Sequence, residues 1–151
     1  TCSDHKQRSV PRLAIPNYGN KEIPVILGYQ YQFFSSLERA NFFSSDYKVS
    51  SNSDRMGYRL EGQEIHCDLK GIISEGIAYG AIQVPKDGQP IVLLQDRQTI
   101  GGYPKMGCVT RVGGGILAQQ KPGDIIQFTP ITVDQAERER HLQMARLAQW
   151  R

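Results

Sequence analysis

QVPKDGQPIVLLQDRQTIGGYPKMG, residues 83–107, decides the fold. Its apolar run, Pro90 to Leu94, follows KDGQ, a Gly-containing turn short enough to join two paired strands as a hairpin. Successive strand residues point to opposite faces, so Ile91, Leu93 and Gln95 share one parity with Arg97 and Thr99, and Val92 and Leu94 share the other with Asp96. Both faces are apolar, which predicts a central strand covered on both sides. A strand that only had to pack would end in a short polar turn. This one ends in an acid, a base, an amide, a hydroxyl and a Gly-Gly pair, and buried polar groups there need protein or ligand partners. The end of this strand is the candidate site.

The residue types at that end suggest specific chemistry. Arg97 could clamp a carboxylate through two parallel N–H donors. Asp96 could handle a proton if burial or a neighbour raised its pKa. The Gly101-Gly102 backbone could approach a ligand closely and offer N–H groups to a developing oxyanion. Lys105 adds positive charge beside Pro104. Glu75 and Gln83 are secondary candidates: Glu75 is otherwise a turn residue facing water, and Gln83 either a buried hydrogen-bond bridge or outward-facing.

Outward from this block, more strands are predicted at 23–28, 76–85, 106–112 and 124–128, and from Tyr47 the periodicity is two. Many short strands joined by Gly-rich turns favour a barrel or sandwich. Ser35 with Glu38 forms a capping box that predicts a short helix over 35–43. A second box, Thr132 with Gln135, opens a helix running to the C-terminus, with Leu142, Ala145 and Ala148 as a thin apolar stripe. That helix either packs on the barrel or docks a partner. The GGGILAQQK segment lacks the spaced Lys-Ser/Thr of a phosphate-binding loop and reads as a turn into a short helix. The expected organisation is an irregular lead-in over 1–22, a β-barrel domain over 23–133 and a terminal helix over 134–151.

A second acid–arginine pair, Asp54-Arg55, precedes another strand. Parity groups Asp54 with Met56, Tyr58 and Leu60 on the apolar face, and Arg55, Arg59 and Glu61 on the other. An acid at the rim of an apolar face must be paired or hydrogen-bonded. A structural ion pair, such as Asp54 with Arg97 across strands, is the alternative to a functional role.

The 151 residues suit one domain, and 39% hydrophobic with 22% charged residues is an ordinary globular composition. A net charge of +3 from scattered basic residues does not call for nucleic acid or a membrane surface. Cys2, Cys67 and Cys108 form no C-x-x-C pair, and no H-x-x-x-H spacing exists, so a metal site is not expected. Three free thiols fit a reducing, cytoplasmic setting. No apolar stretch approaches the roughly 20 residues needed to span a bilayer. The chain opens TCSDHKQRSV, without an apolar signal region or an initiator Met, and reads as a piece of a longer protein.

The blocks SNSDRMGYRLEG, ISEGIAYGAIQVPKDGQPIVLLQDRQTIGGYPKMG and LAQQKPGDIIQF resemble the C-terminal half of the KipA family. That family is also known as allophanate hydrolase subunit 2, as urea amidolyase-related or biotin-dependent carboxyltransferase, and as one of the subunits of 5-oxoprolinase. The resemblance runs from about Pro24 into the terminal helix; Cys108 and the VGGG of 112–115 depart from the pattern. It implies a mainly β fold, a cyclophilin-like β-barrel with short helices and a C-terminal α-helix. It also implies a domain of an ATP-dependent 5-oxoprolinase, opening 5-oxoproline to glutamate with a KipI-like partner and a third subunit. The alternatives are a carboxyltransferase acting on urea, with biotin carried on another domain, and a non-catalytic module that binds a KipI-like inhibitor. Prolyl isomerase activity would rest on barrel type alone, and fold does not imply function.

Matching motifs carry site residues over. Asp96, Arg97, Asp54 and Lys105 are expected to be catalytic, and Ser53, Arg55, Gln83, Thr99, Gly101, Gly102 and Tyr103 to bind a small amide substrate. No cofactor is expected on this domain alone, ATP use requiring the partner subunits.

Overall fold

The computed structural model describes residues 19–69 and 74–148. Seven strands close a barrel: β1 (Glu22–Leu27), β2 (Tyr47–Val49), β3 (Gly57–Gly62), β5 (Ala81–Gln83), β6 (Ile91–Leu93), β8 (Lys105–Val109) and β9 (Ile125–Ile131). They run in the order β1-β8-β5-β6-β3-β2-β9, and a parallel pairing of β9 with β1 closes the ring. The remaining strands, β4 (Glu75–Gly76) and β7 (Ile100–Gly101), form a separate two-stranded ribbon. Closure leaves no open edge among the barrel strands, which removes the usual route to edge-to-edge aggregation.

Alternation builds the core. In β1, Ile23 and Val25 turn inward, and they meet Val92, Met106, Val109, Ile126 and Phe128 in one cluster of buried side chains. Helix α1 (Ser36–Ser44) starts where Ser35 accepts a hydrogen bond from the Glu38 N–H (3.2 Å). It lays Phe42 on Phe128, with ring centroids 4.7 Å apart and planes 11° apart. An aromatic pair of this kind adds about 0.5–1.5 kcal/mol beyond its buried area.

The hairpin expected at KDGQ joins β5 to β6, with Ile82 opposite Val92 and Gln83 opposite Ile91. Strand β6 is central, between β5 and β3. It sends Val92 and the following Leu94 into the main core, and Leu93 into a second, smaller cluster with Ile77 and Ala81, against which Ile91 packs. This is the two-sided burial that its sequence predicts.

Four local expectations need correction. The span 76–85 is not one strand: after β4 the chain turns at Gly80 (φ +82°) and begins β5 at Ala81. Gly80 sits so close to the Val109 carbonyl that no side chain fits there. The strand expected over 106–112 stops at Val109, because Thr110 Oγ1 accepts from the Gly113 N–H (3.0 Å) and starts helix α2 (Arg111–Leu117). The glycines of VGGG therefore lie inside that helix and not in a turn before it. They let it pack tightly: Gly114 lies against the Tyr79 hydroxyl, and a Cβ on Gly113 would come within 2.9 Å of Pro24.

The third correction concerns the face shared by Asp54, Met56, Tyr58 and Leu60. Leu60 is buried and Tyr58 half-buried, but Asp54 and Met56 are exposed. The Asp54 carboxylate accepts from the Met56 N–H (2.8 Å) and the Gly57 N–H (3.2 Å), so a turn precedes β3 and strand parity does not extend back through it.

The fourth concerns the terminal helix, α3 (Val133–Ala148). The Thr132–Gln135 capping box forms reciprocally, at 2.8 and 3.2 Å. The helix buries no residue. Its half-buried positions are Ala136, Glu139 and Gln143, while Leu142, Met144 and Leu147 face outward. The expected apolar stripe is thus not the face turned toward α2 and β1.

Candidate functional site

The two acid–arginine blocks lie side by side. The Asp96 N–H donates to the Arg55 carbonyl (3.1 Å), and Arg55 Nε meets Asp96 Oδ2 at 3.0 Å. The ion pair is therefore Arg55–Asp96, not Asp54–Arg97. Arg97 points elsewhere: its Nε donates to the Ile77 carbonyl (3.0 Å) and Nη1 to the Leu94 carbonyl (3.2 Å). It braces the segment after β4 against the end of β6. Ser53 is turned to its own hairpin, exchanging hydrogen bonds between Oγ and the Arg59 N–H (3.1 Å) and carbonyl (3.2 Å). Thr99 is exposed, and its carbonyl accepts from the Ile77 N–H (2.9 Å). Gly101 lies in the ribbon opposite Glu75, Gly102 is exposed, and Tyr103 follows with 44% of its surface exposed.

On the outer face of the barrel, beside the segments that flank β7, lies a cavity of about 210 Å³, lined by Asn52, Asp54, Arg59, Gln83, Gln98 and Tyr103 over Ile91 and Leu93. Register explains it. Gln83 and Arg59 are both cross-strand partners of Ile91, so one row across β5, β6 and β3 reads Gln83–Ile91–Arg59 and presents one face. Gly57, opposite Leu93, leaves space in the next row: a Cβ there would crowd Leu93 and the Val92 carbonyl at 3.1 Å. Gln83 is 2% exposed, and its Nε2 has no hydrogen-bond partner among the described residues. Leaving a buried donor unpaired costs about 1–3 kcal/mol, so this amide is the polar group of the cavity wall with most to gain from an acceptor.

A wider cavity of about 400 Å³ lies on the Arg55 side, against Ser53, Tyr58, Tyr79, Leu94 and Gln95, and Asp54 borders both. Three of its polar side chains are occupied: Tyr58 donates to the Ala118 and Gln120 carbonyls (both 3.3 Å), Ser53 to the Arg59 carbonyl, and Arg55 pairs with Asp96. The smaller cavity, with its unpaired donor, is the better candidate.

Lys105 is the next member of the row, opposite Gln83 on β8 across a bulge that leaves Met106 extra. Its ammonium is ion-paired to Glu75, and its side chain is 12% exposed. Glu75 also accepts from the Tyr29 hydroxyl and from Gln30 Nε2 (2.9 Å), and Gln30 Oε1 accepts from the Lys105 N–H (2.8 Å). The Lys105 ammonium, then the Tyr29 hydroxyl, hold the Glu75 carboxyl below its ordinary pKa. Hydrogen bonding to that carboxylate pushes the Tyr29 phenol up. Glu75 is thus a partner of Lys105 and not a turn residue facing water. Sequence reasoning missed Tyr29 and Gln30, which stand 46 and 45 positions from Glu75. The available signal was Gln30, an amide 5% exposed between two tyrosines.

Among the described residues no group of three His, Cys, Asp or Glu could hold a metal ion, and no helix is long and apolar enough to cross a membrane. The Gly-rich start of α2 does not fit a nucleotide phosphate. Gly113 and Gly114 are buried against Pro24, Val109 and Tyr79, which leaves no open cradle. Lys105 does not fit a biotin-carrying lysine, since it is largely buried in its ion pair.

Residues 1–130 match the family model described as carboxyltransferase domain, subdomain A and B. The chain is 37% identical over 143 residues to a 5-oxoprolinase subunit of Haemophilus influenzae, covering 93% of this chain and 45% of that protein. It is 37% identical over 137 residues to the Escherichia coli protein of the same name, covering 89% and 44%. The crystal structure of the K. lactis urea amidolyase superposes with a TM-score of 0.77 at 26% identity, over 83% of this chain and 8% of that one. The chain thus spans less than half the length of these curated relatives.

Proposed function

The chain belongs to the family of carboxyltransferase domains, subdomains A and B, and on that premise we propose that it forms part of an ATP-dependent 5-oxoprolinase. In this reading water adds across the lactam C–N bond of 5-oxoproline to give glutamate, and ATP hydrolysis elsewhere in the complex drives the step. The observation that carries the reading is the cavity beside Gln83, a compact space whose buried amide donor lacks an acceptor. A small amide supplies one through its carbonyl oxygen. The likeness to the bacterial 5-oxoprolinase subunits supports this substrate, at higher identity than the likeness to urea amidolyase.

The complex would include a KipI-like subunit and a third protein, in the cytoplasm, where Cys67 and Cys108 remain free thiols. ATP binds on those partners. Within this chain, Gln83 takes the substrate carbonyl, Asn52, Gln98 and Tyr103 shape the mouth, and Arg97 holds the wall in place. Asp96 acts through Arg55, and Lys105 with Glu75 fixes the end of the row.

Carboxyl transfer to urea is the second reading, favoured by the superposition on the K. lactis urea amidolyase. Biotin would then arrive on another domain. The deciding assay is ATP-dependent glutamate release from 5-oxoproline by the full-length subunit with its partners, run beside a urea assay with biotin components. Glutamate release supports the first reading and urea turnover the second. Silence in both, with firm partner binding, leaves a non-catalytic module that holds a KipI-like protein.

A further inference from the structure

We infer that Arg59 makes the cavity selective for small amides that also carry a carboxylate, a deepening that rests on the reading of this cavity as the substrate site. Three observations combine. Arg59 lines the same cavity as the unpaired Gln83 amide. The two belong to one cross-strand row, on either side of Ile91, so their side chains leave the same face of the sheet. Arg59 uses its backbone N–H and carbonyl with Ser53, while its guanidinium has no ion-pair or hydrogen-bond partner among the described residues.

The contrast with the other cations near the site sharpens the point. Arg55 is paired with Asp96, Lys105 with Glu75, and Arg97 is bonded to two carbonyls. Asp54, the one carboxylate lining the cavity among the described residues, is turned to the Met56 and Gly57 N–H groups. Arg59 is the charge left over, and it faces the cavity.

Spacing sets the ligand's size. Two strand separations put the backbones of Gln83 and Arg59 about 10 Å apart. Arg59 is exposed and Gln83 buried, and both line the cavity on either side of Ile91, so the gap between amide and guanidinium suits a compact molecule. Its carbonyl would meet Gln83 Nε2 at the wall, and its carboxylate would meet the planar guanidinium fork in bidentate fashion. Ile91 and Leu93 supply an apolar floor for the carbon skeleton between them. A neutral amide such as urea or 2-pyrrolidinone makes only the first contact. Arg59 is thus a specificity-determining residue, offering a planar fork of N–H donors matched to a carboxylate.

The test is direct binding by calorimetry to the full-length subunit in its complex, with 5-oxoproline and its uncharged counterpart 2-pyrrolidinone as probes. Wild type is expected to bind 5-oxoproline at least about tenfold more tightly, the scale of one hydrogen-bonded charge pair. Arg59→Gln should erase that preference while leaving 2-pyrrolidinone affinity unchanged, and Arg59→Lys, which keeps charge but loses the fork, should keep part of it. No preference in wild type, a preference that survives in Arg59→Gln, or no binding of either probe overturns the inference. A preference that vanishes in Arg59→Gln, in a complex that releases no glutamate, keeps the role of Arg59 and rejects the 5-oxoprolinase reading.

Discussion

The side-chain amide of Gln83 lies against the bare Cα of Gly101: a Cβ at position 101 would stand 2.8 Å from Gln83 Nε2. The same Cβ would meet Ile77 Cδ1 at 2.6 Å and Gln98 Nε2 at 3.1 Å. The ribbon of β4 and β7 closes over the outer barrel face only because residue 101 has no side chain. Gly101 therefore acts as a spacer that lets the ribbon pack directly against the Gln83 amide, whereas its sequence suggests an N–H donor to an oxyanion.

Gly101→Ala should push the ribbon away from the barrel wall and displace the amides of Gln83 and Gln98. Overpacking of this size costs about 1–3 kcal/mol. Denaturant unfolding should show a loss in that range, with small-amide binding abolished in the folded fraction. Unchanged binding would mean that the ribbon does not shape the site.

Asp96 and Arg97 should separate cleanly. The Arg55–Asp96 pair is solvent-exposed, at 83% and 45% of side-chain surface, and exposed pairs contribute about 1 kcal/mol or less. Asp96→Asn should thus leave the unfolding midpoint almost unchanged, so any loss of turnover reports on function. Arg97→Ala removes two hydrogen bonds to carbonyls and should cost about 1–3 kcal/mol. A large stability loss in Asp96→Asn would contradict this assignment.

Stability should fall on the acid side because of Glu75. Its folded-state pKa lies below its ordinary value, held there by Lys105 and then Tyr29. A carboxylate depressed in this way stabilises the fold above its unfolded pKa of about 4.3. That contribution is lost as pH drops from there through the lower folded value. Glu75→Gln should lower the melting temperature at pH 7 and flatten its decline as pH falls below the unfolded value. Glu61 and Asp124 are depressed as well, so a residual acid limb is expected in the variant. An unaltered pH profile would show that the Lys105 pairing adds nothing to the native state.

Much of this architecture is legible in local pattern. The turn at KDGQ, the two-sided strand after it and both capping boxes each rest on residues within a few positions of one another. The closeness of Asp54-Arg55 to Asp96-Arg97 also follows from pairing β3 with β6. Which acid meets which arginine does not, because the Asp54 turn interrupts strand alternation just before Gly57. The Gly-rich start of α2 reads as a turn because helix propensity counts against glycine; here close packing on Pro24 and Tyr79 decides the outcome. Tyr29 and Gln30 reach Glu75 only through barrel closure, so no local pattern announces that cluster. Gln83, by its sequence, is equally a bridge or an outward-facing residue. It is buried yet bridges nothing through Nε2 among the described residues, a state that depends on three-dimensional packing.

The central claim is that the unpaired amide of Gln83 exists to meet a substrate carbonyl, and Gln83→Met tests it most directly. Methionine keeps the length and volume of glutamine but removes the buried donor, so the fold should be as stable as wild type or more stable. Glutamate release from 5-oxoproline by the full complex should meanwhile fall by about 100-fold or more, the scale seen when one donor to a reacting carbonyl is removed. Full activity in Gln83→Met, or a clear loss of stability, would contradict the account and return Gln83 to the structural core.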